Sequence, residues 1–176
     1  LININQNMYL YLIRHGIAED LDPHTLDAIA SDEARSLTQV GRKKMAQVAD
    51  RICKTGLKFD LIMTSPLVRA QQTGDILIDA RLSNQLEISL DLAPAGNLQS
   101  WLTKLASRSL DQPFTTIALV GHEPNLSEWA ELLIFGNIYH RLILKKGGII
   151  GLKFSTDRIE IGMAQLYCLI PPKYSF

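Results

Sequence analysis

Two histidines and two arginines are the residues of this sequence whose types and positions are best suited to chemistry. Arg14 and His15 directly follow an apolar run of strand-forming residues, and His122 closely follows a second such run, residues 115–120. Arg69 lies shortly after a third run, near the predicted start of a helix whose positive end favours an anion. A guanidinium can bind phosphate through two parallel hydrogen bonds, and a neutral imidazole can attack phosphorus. These residues therefore predict a site for phosphoryl transfer.

The apolar runs before these side chains have the length and composition of buried β-strands, and they cover residues 9–13, 59–64 and 115–120. In the segments between and after them, apolar residues recur at helical spacing. The predicted buried helix faces are Met45, Val48, Ala49 and Ile52; Leu98, Trp101, Leu102 and Leu105; and Leu126, Trp129, Leu132 and Leu133. This alternation predicts a single α/β domain over residues 1–176. We expect a three-layer αβα sandwich, with a mostly parallel central sheet and helices on both faces.

Parallel strands of such a sheet end at one edge, where ligands commonly bind, so the cationic side chains should meet there. Gly16 permits a sharp turn after the first strand. Thr38 is a suitable N-cap for the first helix. Ser65 and Pro66 have the types expected of an N-cap and a first helical residue, which would begin the helix of Arg69 at its positive end.

Further strands are expected to complete the sheet at residues 82–90, 147–154 and 158–169. The last two should pair antiparallel through a turn at residues 155–157. Residues 17–36 are polar and acidic and predict a long loop beside the site, and long loops in compact domains are often functional. His24 within this loop is interpreted as a solvated residue rather than a catalytic one.

The charge balance argues against several classes of partner. The 18 Lys and Arg residues equal the 18 Asp and Glu residues in number, so no general attraction to nucleic acid or to an anionic membrane is expected. No apolar run reaches transmembrane length, and the first residues lack the features of a signal peptide. Met8 directly precedes the first strand, so residues 1–7 are interpreted as an N-terminal extension. A monomer or weak oligomer is expected.

The two cysteines, Cys53 and Cys168, are far apart in sequence and belong to no Cys-x-x-Cys pair. Their apolar surroundings favour buried free thiols, which fits a cytoplasmic location, although a disulfide between them stays open.

Three motifs together resemble one known family. They are residues 12–16 (Leu-Ile-Arg-His-Gly), residues 64–73 (Thr-Ser-Pro-Leu-Val-Arg-Ala-Gln-Gln-Thr) and residues 120–124 (Val-Gly-His-Glu-Pro). The combination resembles the histidine phosphatase superfamily, also called the phosphoglycerate mutase-like fold, over about residues 8–170. The short chain and the segments 35–38 and 92–96 are most similar to the SixA-type phosphohistidine phosphatases.

The resemblance implies a role for each of the four cationic or imidazole side chains. His15 would be the nucleophile that becomes phosphorylated, and Arg14, Arg69 and His122 would complete the phosphate pocket. It also implies that neither a metal ion nor another cofactor is needed. In agreement, the four histidines of the sequence include no pair at the His-x-x-x-His spacing of metal ligands.

The resemblance leaves open which group protonates the leaving group. Longer members of the mutase branch have a glutamate in an inserted segment, which this chain lacks. Glu123 directly follows the second histidine, where the acid phosphatase branch has an acidic residue. Asp91 is a second candidate, and a reaction without a dedicated acid is a third. Alternatively, Glu123 only interacts with the dipole of the helix that it precedes.

The leaving group distinguishes the functions that this site allows. An alkoxide leaves poorly and needs a strong acid, whereas a protonated imidazole leaves as a neutral molecule. We therefore predict hydrolysis of phosphohistidine on a protein. The alternatives are a phosphatase of a small phosphoester or sugar phosphate, and a phosphate-binding module without catalysis. Nucleotide binding is disfavoured, because neither Gly-x-Gly-x-x-Gly nor Gly-x-x-x-x-Gly-Lys-Ser/Thr occurs.

Overall fold

The computed structural model describes residues 7–21, 32–109, 114–155 and 159–172. The strands are β1 (Met8–Arg14), β2 (Leu61–Thr64), β3 (Leu86–Ile88), β4 (Thr116–Gly121), β5 (Ile149–Phe154) and β6 (Gln165–Ile170). The helices are α1 (Gln39–Lys54), α2 (Val68–Asp79), α3 (Leu98–Ser109) and α4 (Asn125–Phe135), with a 3-10 turn at Leu90–Leu92. A short helical turn also covers residues 32–34. His24, residues 1–6 of the predicted extension and most of the predicted turn at 155–157 lie outside the described residues.

The six strands form one mixed sheet in the order β3-β2-β4-β1-β5-β6. The pairs β3–β2, β2–β4 and β4–β1 are parallel. The pairs β1–β5 and β5–β6 are antiparallel. The predicted antiparallel pairing of the last two strands is thus confirmed. Because β1 and β4 are neighbours near the middle of the sheet, the segments that follow them emerge side by side.

Each face of the sheet is covered by two helices. Successive residues of a strand point to opposite faces. Leu12 of β1 belongs to a core shared with Trp101 of α3 and Trp129 of α4. Ile13, the next residue, belongs to a second core with Met45 of α1 and the inward side of α2. Each such fully buried aliphatic side chain contributes about 2 kcal/mol of hydrophobic stabilisation. The predicted three-layer αβα sandwich is therefore confirmed.

The start of α1 agrees with the sequence-based prediction, and the start of α2 does not. Thr38 caps α1, because its Oγ1 accepts a hydrogen bond of 2.9 Å from the backbone N–H of Gly41. Ser65 was expected to cap α2 in the same way, but α2 begins at Val68. The Ser65 hydroxyl instead lies 2.7 Å from His122 Nε2. The same hydroxyl accepts from the Leu67 N–H at 3.3 Å, so Ser65 closes a turn before α2 and does not cap the helix itself.

The strands at the two edges of the sheet are shorter than predicted. β3 has only 3 residues, and β6 begins at Gln165 rather than at residue 158. An edge strand pairs on one side only, so fewer backbone hydrogen bonds extend it. Cys53 and Cys168 are free thiols, as predicted, but they are only partly buried. The expected full burial is wrong, since Cys168 lies in the edge strand β6. Within the described ranges, no helix is long and apolar enough to span a membrane.

Candidate active site

The carboxyl ends of β1 and β4 bring two histidines together. The two strands run in parallel, with Arg14 opposite Gly121. The backbone N–H of His15 donates to the Gly121 carbonyl at 3.1 Å, which continues the pairing one residue beyond the strand. The centroids of the His15 and His122 rings are 5.1 Å apart, and the ring planes are tilted by 54°. Both imidazoles therefore lie at the same end of the sheet.

The segment after β2 brings Ser65 and Arg69 to the same place. The Ser65 backbone N–H donates to the Val120 carbonyl at 2.9 Å, so the segment follows β4 towards His122. Arg69 lies in the first turn of α2 and is only 4% exposed. Near that end, the unpaired backbone N–H groups of the helix add positive potential. The site thus combines a helix N-terminus with the arginine that follows it.

Burial keeps both imidazoles neutral near pH 7. It lowers the pKa of His15 to about 3, with smaller contributions from His122 and from the charges of Arg69 and Arg14. It also lowers the pKa of His122 to about 4, again with help from the Arg69 charge. A nitrogen can act as a nucleophile only while it holds its lone pair, so a neutral His15 is in the reactive form.

One hydrogen bond determines which nitrogen of His15 is free to react. His15 Nδ1 lies 2.7 Å from the carbonyl oxygen of Gly16. A carbonyl oxygen can only accept, so Nδ1 carries the proton of the neutral ring and Nε2 holds the lone pair. This hydrogen bond fixes the tautomer that a histidine nucleophile needs.

Several buried polar atoms of the site have no hydrogen-bond partner among the described residues. These atoms are Arg14 Nε, Arg69 Nε, His122 Nδ1 and Glu123 Oε1. Leaving a buried N–H unpaired costs about 1–3 kcal/mol, so such groups in a native structure commonly await a ligand. Two guanidinium N–H groups and an imidazole nitrogen favour an anionic ligand with several acceptor oxygens. Phosphate fits this donor set.

The backbone of the loop before β5 holds Arg14 in place. Arg14 Nη1 donates to the Leu144 carbonyl at 2.8 Å. Gly147, at φ +75°, donates its N–H to the Arg14 carbonyl at 3.0 Å. Left-handed backbone of this kind favours glycine. The loop before β5 therefore holds both the side chain and the backbone of Arg14.

A buried carboxylate orders the beginning of that loop. Glu131 of α4 is 1% exposed, and its carboxylate accepts hydrogen bonds from the backbone N–H groups of Tyr139, His140, Arg141 and Leu142. Burial alone would raise the pKa of Glu131, but these hydrogen bonds lower it to about 2. The carboxylate is therefore ionised near pH 7, and it supports the chain that leads to the Arg14 contact.

The two candidate acids have different surroundings. Glu123 is half-buried, its Oε2 accepts from the Ser127 hydroxyl at 2.5 Å, and its Oε1 is unpaired. Burial raises the pKa of Glu123, while the charge of nearby Arg14 opposes the rise. Asp91 is buried, and its Oδ2 pairs with Nζ of Lys104 of α3 at 2.7 Å. Glu123 is thus better placed to hold and release a proton.

Two contributions to the site were not foreseen from the sequence. Gly16 was expected to permit a sharp turn, but a Cβ at that position would lie 2.7 Å from Met45 Cγ, so close packing requires the glycine. Thr73 Oγ1 accepts from the Gly16 N–H at 3.1 Å and donates to the Arg69 carbonyl at 2.8 Å. Thr73 therefore links the turn after His15 to the helix that carries Arg69.

The contact between Asp32 and Arg69 is a third contribution that the sequence did not predict. Arg69 donates from Nη1 to the Asp32 carbonyl at 2.6 Å and from Nη2 to Asp32 Oδ2 at 3.0 Å. The only indication in the sequence is that Asp32 lies three positions before Arg35, with which it also pairs. The described residues contain no cluster of three or more His, Cys, Asp or Glu side chains that could hold a metal ion.

Comparison with known proteins identifies the family. The family model of the histidine phosphatase superfamily (branch 1) matches residues 10–93. An uncharacterised protein of Picosynechococcus sp. is 42% identical over 95% of this chain and 98% of its own length. The chain therefore belongs to the histidine phosphatase superfamily.

Solved structures share the fold of this chain. The protein histidine phosphatase SixA, solved with tungstate, gives a TM-score of 0.76 at 22% identity over 94% of this chain and 98% of that chain. The alpha-ribazole phosphatase of Shigella flexneri gives a TM-score of 0.66 at 19% identity, over 94% of this chain and 97% of that chain. By class, the protein is a phosphatase of this superfamily.

Proposed function

We propose that the protein removes phosphate from phosphohistidine on a protein substrate, through a covalent phosphohistidine intermediate on His15. The observation that carries this proposal is the pair of neighbouring imidazoles, one fixed as a nucleophile, among buried cationic groups with unpaired N–H donors. A site that only bound phosphate would not need a neutral imidazole with its reactive nitrogen free.

In the first half of the reaction, the His15 Nε2 lone pair forms a bond to phosphorus while the bond from phosphorus to the leaving nitrogen breaks. The leaving imidazole takes up a proton from the solvent that it faces and departs as a neutral molecule. In the loose transition state, negative charge spreads over the equatorial oxygens of the phosphoryl group. Arg14, Arg69 and His122 stabilise this charge. In the second half, water attacks phosphorus, the bond to Nε2 breaks, and inorganic phosphate is released with the His15 lone pair restored.

The surroundings of the site favour a phosphoramidate substrate. His15, His122 and Arg69 are at most 6% exposed, so the leaving group must point out of the pocket towards solvent. A protein side chain can enter such a pocket from outside. The leaving imidazole of phosphohistidine needs less acid assistance than an alkoxide. The SixA structure, which shares the fold, is that of a protein histidine phosphatase.

Kinetic comparison of substrates tests the proposal. We expect kcat/KM on a histidine-phosphorylated protein domain to exceed that on a phosphoserine peptide or an alkyl phosphate by about a hundredfold, because only the imidazole leaves easily without a strong acid. Higher efficiency on the alkyl phosphate would instead assign a small phosphoester as substrate. Binding of phosphate without turnover of any substrate would make the protein a non-catalytic binding module.

The surroundings of Glu123 favour the alternative function, hydrolysis of a small phosphoester. Its raised pKa and unpaired Oε1 are properties of a general acid. If Glu123 has that role, Glu123→Gln should lower kcat about a hundredfold on an alkyl phosphate but much less on phosphohistidine or p-nitrophenyl phosphate, whose leaving groups need little protonation. Steady-state kinetics on the three substrates measure this difference.

Glu160→Gln is the matched control for this measurement, because the Glu160 side chain is exposed in the segment before β6. It should leave the three rates unchanged. An equal loss on every substrate in Glu123→Gln would show that Glu123 supports the structure of the site and does not donate the proton.

A further inference from the structure

Asp32 covers the outer edge of the Arg69 guanidinium. Its backbone carbonyl and its carboxylate accept from the two terminal nitrogens of Arg69, at 2.6 Å and 3.0 Å. Each terminal nitrogen keeps a second N–H, and Nε, on the edge that Asp32 does not cover, is buried and has no partner among the described residues. The contact therefore leaves the Nε edge of the guanidinium for a ligand.

The segment that carries Asp32 is anchored at several points. Arg35 donates from Nε to Asp32 Oδ1 at 2.9 Å and from Nη1 to the Glu19 carbonyl at 3.0 Å. Further along, Gln72 of α2 accepts from the Leu37 N–H at 2.7 Å. These contacts hold the chain that follows Asp32, and Asp32 itself pairs with both Arg35 and Arg69, so it is a fixed part of the site.

Asp32 lies between the buried cations and the solvent. Its side chain is 31% exposed, against 5% for that of Arg69. Burial would raise the pKa of Asp32, but hydrogen bonds from Arg35 and Arg69 hold it below its usual value, so the carboxylate is ionised near pH 7. The Asp32 charge also acts on His122, since it opposes the lowering of the His122 pKa. A negative charge thus stands between the buried cationic groups of the site and the solvent.

We propose that Asp32 is a positioning and specificity-determining residue: it holds Arg69 with Nε towards the phosphoryl group, and its rim carboxylate selects against substrates with an anionic group beside the phosphate. The inference rests on the proposed function, because it takes the pocket to bind phosphoryl groups. A neutral or cationic leaving group, such as a protonated imidazole, passes the rim without repulsion. A leaving group with its own carboxylate is repelled.

Three phosphate esters with a short carbon chain and a cationic, neutral or anionic end test the inference: phosphoethanolamine, ethyl phosphate and phosphoglycolate. On the wild-type protein, efficiency should fall in that order from the cationic to the anionic ester. Asp32→Asn keeps the size of the side chain and removes its charge. We expect it to reduce the ratio of kcat/KM for phosphoethanolamine over phosphoglycolate about tenfold, and the change should shrink in high salt.

A binding measurement gives the same test without turnover. The dissociation constants of phosphoethanolamine and phosphoglycolate can be measured by calorimetry on His15→Ala and on the double variant with Asp32→Asn. The ratio of the two constants should change about tenfold in the same direction. If the wild type hydrolyses neither a histidine-phosphorylated protein nor any ester, the proposed function fails, yet this ratio still decides the role of Asp32.

Glu33→Gln is the control, because Glu33 is an exposed carboxylate in the same helical turn. It should leave all ratios unchanged. Asp32→Ser is a second neutral variant that keeps the backbone carbonyl contact to Arg69, in case asparagine disturbs the fold. A purely structural role would lower the efficiency on every ester equally in both variants. Unchanged ratios in kinetics and in binding would overturn the inference.

Discussion

His15→Ala is expected to reduce turnover to the level of the buffer blank, a loss of about four orders of magnitude or more. The variant removes the nitrogen whose lone pair is assigned by a hydrogen bond to a carbonyl, because Nδ1 is bound to the Gly16 carbonyl and Nε2 is free. Without that nitrogen no covalent intermediate can form. The measurement is kcat on a histidine-phosphorylated protein, with circular dichroism to confirm that the fold is kept.

The remaining cationic groups should still bind phosphate in His15→Ala, since Arg14, Arg69 and His122 are unaltered. A matched control is His140→Ala, because the His140 side chain is 72% exposed and lies beyond α4. That variant should keep full activity. Near-normal turnover by His15→Ala would contradict the assigned role of His15 and would direct attention to His122 as the nucleophile.

Arg69→Ala should lower kcat/KM by about two to three orders of magnitude. Arg69 is buried at the N-terminus of α2 and offers an unpaired Nε to the ligand, so its removal takes away charge stabilisation that increases in the transition state. It also leaves the Asp32 carboxylate paired with Arg35 alone. Steady-state kinetics and the dissociation constant for inorganic phosphate together measure the effects on the transition state and on the ground state.

Arg69→Lys distinguishes the contribution of the positive charge to kcat/KM from that of the planar guanidinium. Lysine keeps the positive charge but lacks the planar guanidinium that contacts Asp32 on one edge and the pocket on the other. We expect only a small part of the lost kcat/KM to return. Arg42→Ala, on the exposed side of α1, is the control and should behave like the wild type. If Arg69→Ala weakened neither binding nor catalysis, the pocket described above would be wrong.

The sequence predicts the sheet and the helices well because their signals are local. The apolar runs that become β1, β2 and β4 are long enough to be buried on both faces, and their ends are marked by polar residues or glycine. Thr38 caps α1 through a contact three residues away. Ser65 is not the cap of α2, because the helix begins only at Val68, and the Ser65 hydroxyl also contacts His122, which is 57 residues distant. No local pattern carries that information.

The same distinction applies to the site. Arg14, His15 and His122 lie at or directly after the ends of buried strands. Because parallel strands end at one edge of the sheet, the sequence was sufficient to predict that these side chains meet there. Asp32 contacts Arg69 across 37 residues and lies in a segment without strand or helix periodicity. The packing role of Gly16 depends on Met45, which lies on a separate helix. Such contacts follow from tertiary packing and become visible only in the folded structure.

The most direct test of the account is to find where the phosphoryl group resides during turnover. The wild-type protein is mixed with a ³²P-labelled phosphohistidine protein, quenched in alkali within milliseconds, digested and analysed by peptide mass spectrometry. We expect an acid-labile phosphoryl group on Nε2 of His15, and no label at this position in His15→Ala. Label on His122 or on another residue, or turnover in the wild type with no trapped intermediate at any time point, would contradict this expectation.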